Sequence, residues 1–170
     1  MVVAPLTPLE VGDRFATRDW PLHVTVVPTF FSRASVTQVA TALAASCGSL
    51  PAVTAVVGAD ALFGPRQTVP VSEVVMDPAL RAAHAVLVEG LGDIEPESPG
   101  FWGEGFRAHI THRRDHRLHP GDIVRLTQVT LVDMEPGQPL GMRAVLAVSP
   151  LLTPGPAVGA ESSPRAQGFT

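Results

Sequence analysis

Two segments with helical spacing interrupt a chain whose other apolar segments are short and β-branched, and this order limits the fold more than any other feature. A capping-box pattern at Ser35 and Gln38 predicts the start of the first helix, and Gly48 suits the C′ position beyond its end. Asp77 as N-cap, followed by Pro78 at the first helical position, predicts the second helix.

Six short segments rich in β-branched or apolar residues predict strands. They cover residues 22–27, 52–57, 68–75, 106–111, 123–132 and 142–148. Residues 1–19 lack clear periodicity, so we expect an irregular lead-in with at most a short strand. The order of one strand, a helix, two strands, a helix and three strands predicts an α+β fold with mainly antiparallel sheet.

The chain is long enough for one domain, which we assign to residues 1–150. Residues 151–170 are rich in Pro, Gly, Ser and Ala, so we predict a flexible C-terminal tail there. No run of about 18 apolar residues is present and the start does not resemble a signal peptide. With a single cysteine, Cys47, these features predict a cytoplasmic protein without membrane contact. Nothing demands an oligomer, so we expect a monomer.

The charged residues exclude several classes of function. All 12 basic residues are Arg, which removes mechanisms that use a lysine nucleophile, a Schiff base or a P-loop lysine. The formal net charge of −4 argues against a protein that coats long nucleic acid. A small anionic substrate remains compatible with this composition.

Two His-x-Thr motifs carry the chemistry, namely His23-Val-Thr25 and His109-Ile-Thr111. Side chains alternate along a strand, so the histidine and threonine of each motif share one face. Imidazole can accept or donate a proton near neutral pH, and hydroxyl groups can donate hydrogen bonds to phosphate oxygens. If the two strands are neighbours, the four groups surround a space suited to a phosphate ester.

Chance gives roughly one His-x-Ser/Thr match in such a composition, but both matches here lie in strand patterns, one in each half of the chain. Over about residues 18–148 the sequence resembles the 2H phosphoesterases, which include bacterial RNA 2′,3′-cyclic phosphodiesterases, also called 2′-5′ RNA ligases.

The resemblance implies a two-lobed α+β fold with mainly antiparallel sheets, outer helices and a central cleft. It implies metal-independent hydrolysis of 2′,3′-cyclic phosphates on RNA ends or nucleotides, with 2′-5′ ligation as the reverse reaction. His23, His109, Thr25 and Thr111 would be catalytic. No metal or cofactor would be needed, and the partner would be a small nucleotide or an RNA terminus.

Four further residues are candidates for substrate binding. Arg113 and Arg114 follow the second motif, and they could clamp a phosphate or belong to an ordinary charged surface. Phe101 and Trp102 precede that motif in a Pro- and Gly-rich loop, where they could stack on a base but where packing is the commoner role.

Other hypotheses remain open. The four histidines of residues 109–119 could form a metal site, although neighbouring arginines would repel a cation. Cys47 and His84 fall on the inner faces of the predicted helices and are expected to be core residues. A non-catalytic RNA-end or nucleotide-binding module would keep the same groove without turnover, and a structural or interaction protein has only the tail in its favour.

Overall fold

A computed structural model describes residues 1–92, 94, 105–114, 116–134 and 141–153. Two α-helices, a short 3-10 helix (Thr17–Asp19) and nine strands are found there. The helices are α1 (Val36–Cys47) and α2 (Pro78–Gly92). The strands, in chain order, are β1 (Val2–Pro5), β2 (Arg14–Ala16), β3 (His23–Val27), β4 (Val53–Phe63), β5 (Val69–Val74), β6 (His109–Thr111), β7 (Ile123–Leu126), β8 (Gln128–Val132) and β9 (Met142–Pro150).

The nine strands form one sheet in the order β2-β9-β8-β1-β3-β6-β5-β4-β7, and every paired neighbour is antiparallel. The α+β class with mainly antiparallel sheet is therefore confirmed. The two halves expected of the molecule are parts of one continuous sheet, and they meet where β3 pairs with β6.

Both helices begin where the sequence predicts. The Ser35 hydroxyl accepts from the backbone N–H of Gln38, and the Gln38 side chain accepts from the backbone N–H of Ser35. A carboxylate oxygen of Asp77 accepts from the backbone N–H of Leu80 at 2.8 Å. Gly48 differs from the prediction, because it is the C-cap itself, in a right-handed conformation with φ of −59°. The conformational freedom of glycine is thus not used there.

The helices cover one face of the sheet and build the main hydrophobic core on it. The buried faces of α1 and α2 pack in the same cluster as Val24 of β3 and Ile110 of β6, both at most 1% exposed. Cys47 and His84 are buried, as expected from their helical positions. Successive side chains along a strand point to opposite faces of the sheet, so the residues beside Val24 and Ile110 project from the face that the helices do not cover.

The lead-in expected to be irregular contains two strands. In β1, residues 2–5 are all buried and pair with β3, and Val2 and Val3 also pair with β8, so this strand lies near the centre of the sheet. Four residues ending in a proline carry too little periodicity for the sequence to distinguish a central strand from a loop. The sequence allowed for one short strand in the lead-in, whereas the structure has two, and β1 is a central one.

Residues 123–132, predicted as one strand, are divided at Thr127 into β7 and β8. The first pairs with β4, while the second pairs with β1 and β9. One intervening residue spans only about 7 Å between the strand ends, so the sheet must curve until its β7 edge returns to β8. On the same side of the sheet, two backbone hydrogen bonds join Leu152, just after β9, to Leu50 and Ala52, just before β4.

The first residues of the segment predicted as a tail, Leu151 and Leu152, are packed against the folded domain. Leu151 is 6% exposed and belongs to the main core, and the Leu152 backbone exchanges hydrogen bonds with Leu50 and Ala52. Residues 154–170 lie outside the described part of the chain, so a flexible tail stays a prediction for them. Neither described helix is long and apolar enough to span a bilayer.

Candidate active site

The pairing of β3 with β6 gathers both His-x-Thr motifs on one face of the sheet. Val24 lies opposite Ile110, and both point toward the helices. Their neighbours in each strand therefore project from the other face. In this antiparallel register each motif's histidine is opposite the other motif's threonine, so His23 and His109 stand on one diagonal of a four-residue square.

Both imidazoles are held by the same hydrogen bond. Nδ1 of His23 lies 2.7 Å from the carbonyl oxygen of Pro21, and Nδ1 of His109 lies 2.9 Å from that of Arg107. A carbonyl oxygen can only accept, so each Nδ1 carries the proton and donates. In the neutral ring, Nε2 then holds the lone pair. Each histidine thus presents a nitrogen that can take up a proton and later return it.

Burial keeps both histidines neutral at pH 7. It lowers the pKa of His23 to about 4, against a smaller rise from the hydrogen bond to Pro21, and the nearby charges of Arg113 and His109 lower it further. Burial also lowers the pKa of His109, where the carbonyl bond opposes it and the Arg107 charge adds to it. His23 is 6% exposed, whereas His109 is partly exposed.

Each imidazole also has an aromatic neighbour. The Trp20 ring lies 4.3 Å from that of His23 and is backed by Phe15 at 5.8 Å. The Phe63 ring lies 4.6 Å from that of His109, and the Arg107 guanidinium lies over the same Phe63 ring, 4.6 Å from its centroid. These rings fix the orientation of the imidazoles. The sequence did not identify Trp20 or Phe63 as site residues. Phe63 reaches His109 only because β4 pairs with β5 and β5 pairs with β6, and no local sequence signal predicts that register.

Arg113 and Arg114 line a cleft beside the first motif. A guanidinium nitrogen of Arg113 donates to the carbonyl oxygen of Thr17 at 3.0 Å, and the charge of Arg113 influences the pKa of His23. Arg114 is exposed on the same cleft. The candidates Phe101 and Trp102 lie outside the described residues, so their proposed stacking stays a prediction.

The other histidines of residues 109–119 do not converge with His109. Nε2 of His112 lies 2.9 Å from the Ser72 hydroxyl, which donates to Asp60 at 3.1 Å. Asp60 also lies 3.4 Å from the same Nε2 atom. Ser72 and Asp60 therefore both contact the same ring nitrogen of His112, and Ser72 is fully buried. In a nucleophilic triad the serine and the carboxylate contact different ring nitrogens, so this cluster is not a triad. This cluster anchors the segment after β6 to the β4–β5 hairpin, and the metal-site hypothesis gains no support from it.

Solved structures and one family model are similar to this chain. A crystal structure of a phosphoesterase is 17% identical and covers 88% of this chain and 95% of its own, with a TM-score of 0.53. E. coli LigT in complex with NADP+ is 19% identical over 85% and 83% of the two chains, with a TM-score of 0.48. No curated protein matches significantly. The family model of the 2'-5' RNA ligase superfamily matches residues 5–124. The expected 2H phosphoesterase resemblance is therefore confirmed, and the chain belongs to the 2'-5' RNA ligase superfamily.

Proposed function

We propose that this protein is a phosphodiesterase that hydrolyses 2′,3′-cyclic phosphates of RNA ends or nucleotides, using His23, His109, Thr25 and Thr111. The observation that carries the proposal is the matched pair of imidazoles on β3 and β6. Each is fixed through Nδ1, and each has the other motif's threonine opposite. Membership of the 2'-5' RNA ligase superfamily supports the same class of chemistry.

The reaction needs one proton removed and one delivered. The neutral imidazole takes a proton from water as its oxygen bonds to phosphorus, and the bond from phosphorus to one ribose oxygen breaks. The protonated imidazole gives its proton to that leaving oxygen. The threonine hydroxyls donate to the non-bridging oxygens, where negative charge increases in the transition state. A ribose 5′-hydroxyl in place of water would give a 2′-5′ linkage by the same steps.

Binding of the phosphate itself favours the protonated imidazole that the reaction needs. In the free protein both histidine pKa values are lowered, so an added proton is held weakly. A bound anion favours the charged form of a neighbouring imidazole. The substrate therefore helps to protonate the histidine that acts as the acid, and the partly exposed His109 is the easier of the two to protonate.

The test is a panel of 2′,3′-cyclic nucleotides and short RNAs with a cyclic phosphate end, each assayed with and without a chelator. We expect conversion to a phosphomonoester, with rates unaffected by EDTA. Strong loss in EDTA that zinc or manganese restores would contradict the metal-independent mechanism. Affinity without conversion of any member of the panel would instead identify the non-catalytic binding module.

A further inference from the structure

A third histidine lies behind the two motifs, on the face of the sheet that the helices cover. His84 of α2 is 4% exposed, and its Nδ1 lies 2.8 Å from the carbonyl oxygen of Val26 in β3. A carbonyl oxygen can only accept, so Nδ1 donates. Burial lowers the pKa of His84, against a smaller rise from this hydrogen bond, so the ring is neutral at pH 7. His23 and His109 bond to carbonyls two residues upstream, whereas this bond spans 58 residues and joins α2 to β3.

The carbonyl that accepts this bond belongs to a β-bulge directly after Thr25 of the first motif. β1 skips Val26, because successive residues of β1 pair with Thr25 and Val27. In the register with β6, Val26 is opposite Ala108, one residue before that strand begins. A bulge interrupts the ladder locally, and a buried carbonyl without a donor is costly. The bond from α2 therefore supplies a donor where the ladders on both sides of β3 are interrupted.

The same imidazole contacts the chain that leads into the second motif. Its ring is stacked on the Phe106 ring, with 3.7 Å between the centroids and 7° between the planes. Phe106 is 6% exposed and directly precedes Arg107, whose carbonyl oxygen accepts from Nδ1 of His109. One side chain of α2 thus connects β3 just after Thr25 to the segment just before His109.

These contacts lie beside one of the two histidine and threonine pairs. Thr25 is opposite His109 at the end of the pairing next to the bulge, whereas His23 and Thr111 are opposite each other at the far end. A strand of three residues forms few ladder bonds, so a contact with α2 adds a constraint at this end. We infer that His84 is a positioning residue, which sets the distance between Thr25 and His109 by joining the two strands from the helix side. This role rests on the proposed function.

Three variants separate the hydrogen bond from the packing. His84→Phe keeps a flat ring against Phe106 but removes the donor, and His84→Leu removes both. His84→Asn keeps an N–H on the atom that corresponds to Nδ1. With the best cyclic phosphate substrate, we expect His84→Phe and His84→Leu to lower kcat about 10–100-fold, because small misplacements of reacting groups are costly. KM should change less than about threefold, and His84→Asn should keep kcat within about fivefold of the wild type.

Leu91→Val is the matched control, because Leu91 is a fully buried residue near the end of the same helix. Assayed well below its melting temperature, it should keep kcat within about threefold of the wild type. An equal fall of kcat in Leu91→Val and His84→Phe, or no fall in His84→Phe, would overturn the inference. If the His84 variants do not fold, Phe106→Leu replaces them, since it removes the stacked ring and leaves the histidine in place. Its kcat should fall several-fold at constant KM, and an unchanged kcat would overturn the inference.

The ring nitrogens of the two motif histidines separate this role from the hydrolase assignment. Long-range 1H–15N correlation spectra record Nδ1 and Nε2 of His23 and His109 without turnover. We expect His84→Phe to shift the signals of His109 more than those of His23, since the bulge adjoins the pair of Thr25 with His109. If no cyclic phosphate is hydrolysed but the signals shift in this way, the positioning role stands and the hydrolase assignment fails. If turnover occurs and His84→Phe changes neither kcat nor the His109 signals, the positioning role is wrong and the hydrolase assignment stands.

Discussion

At the scale of single residues, the two halves of the site have the same local design. In each, a backbone carbonyl two residues upstream fixes Nδ1 of a histidine, and an aromatic ring supports the imidazole. The halves differ in burial and in the charges around them. His23 is the more buried, and the charge of Arg113 lowers its pKa, whereas the arginine beside His109 is paired with Glu73.

Replacing either proposed catalytic histidine tests the proposed roles. We expect His23→Ala and His109→Ala each to lower turnover roughly 10²–10⁴-fold, the usual contribution of a positioned acid or base. The double variant should lose much less than the product, because the two groups act as one unit. Thr25→Ala and Thr111→Ala should be impaired more mildly. His119→Ala, at an exposed position, is the control. Near-full activity in folded His23→Ala and His109→Ala would contradict the assignment.

The lowered pKa values predict an acidic optimum for the free enzyme. Activity needs one neutral and one protonated imidazole, so kcat/KM falls below the lower of the two pKa values and above the higher. Both lie below the ordinary value of about 6.5, with that of His23 at about 4, so the bell-shaped kcat/KM profile should peak below pH 6.5. The kcat profile should lie at higher pH, since bound phosphate favours imidazolium. A kcat/KM peak above pH 7.5 would contradict the burial argument.

At the scale of elements, the sequence predicted the features that depend on local contacts, but it did not predict which distant strands pair. The helix starts were predicted because capping is a contact between residues three positions apart. The alternation within β3 and within β6 correctly placed the histidine and threonine of each motif on one face, and the pairing of the two strands, which the sequence left as a condition, brings the motifs together. The break at Thr127 was not predicted, because the apolar pattern continues through it and only distant partners differ. The contact of Phe63 with His109 likewise depends on long-range register.

The contact between the two helices offers a precise test of packing. A Cβ atom added at Gly90 of α2 would lie 1.9 Å from the Ser46 hydroxyl and 3.2 Å from its Cβ. Gly90→Ala should therefore lower the free energy of unfolding by roughly 1–3 kcal/mol in denaturant titration. Adding Ser46→Ala removes the closest atom and should restore most of that loss, helped by the higher helix propensity of alanine. Equal loss in both proteins would mean that the helices do not approach in this way.

At the scale of the whole molecule, the two halves of the sheet are connected at two places. β3 pairs with β6 at the site, and the curvature brings β7 back to β8 on the other side of the core. The chain after β9 contributes to this second junction through the backbone of Leu152 and the buried side chain of Leu151. The stable body therefore extends beyond the end of β9.

Two truncations locate the end of the body. A chain ending at Thr153 should keep the melting temperature of the full chain within a few degrees, given the composition of residues 154–170. A chain ending at Pro150 loses a buried leucine and the bonds to Leu50 and Ala52, and its Tm should fall by roughly 5–15 °C. Thermal unfolding followed by circular dichroism measures both. Equal Tm values would show that Leu151 and Leu152 contribute little.

If His23 and His109 act as the proposed catalytic pair, their division between β3 and β6 makes activity a measure of complete folding. A nascent chain that ends before His109 lacks the second motif entirely, and the strand that holds the first motif is flanked by β1, whose other neighbour β8 is synthesised later still. Such long-range pairing is slow to form compared with the local contacts of a helix. A chain divided between α2 and β6 would give two inactive fragments, each with one of the two proposed catalytic imidazoles, so recovery of turnover on mixing would count reassembled molecules directly.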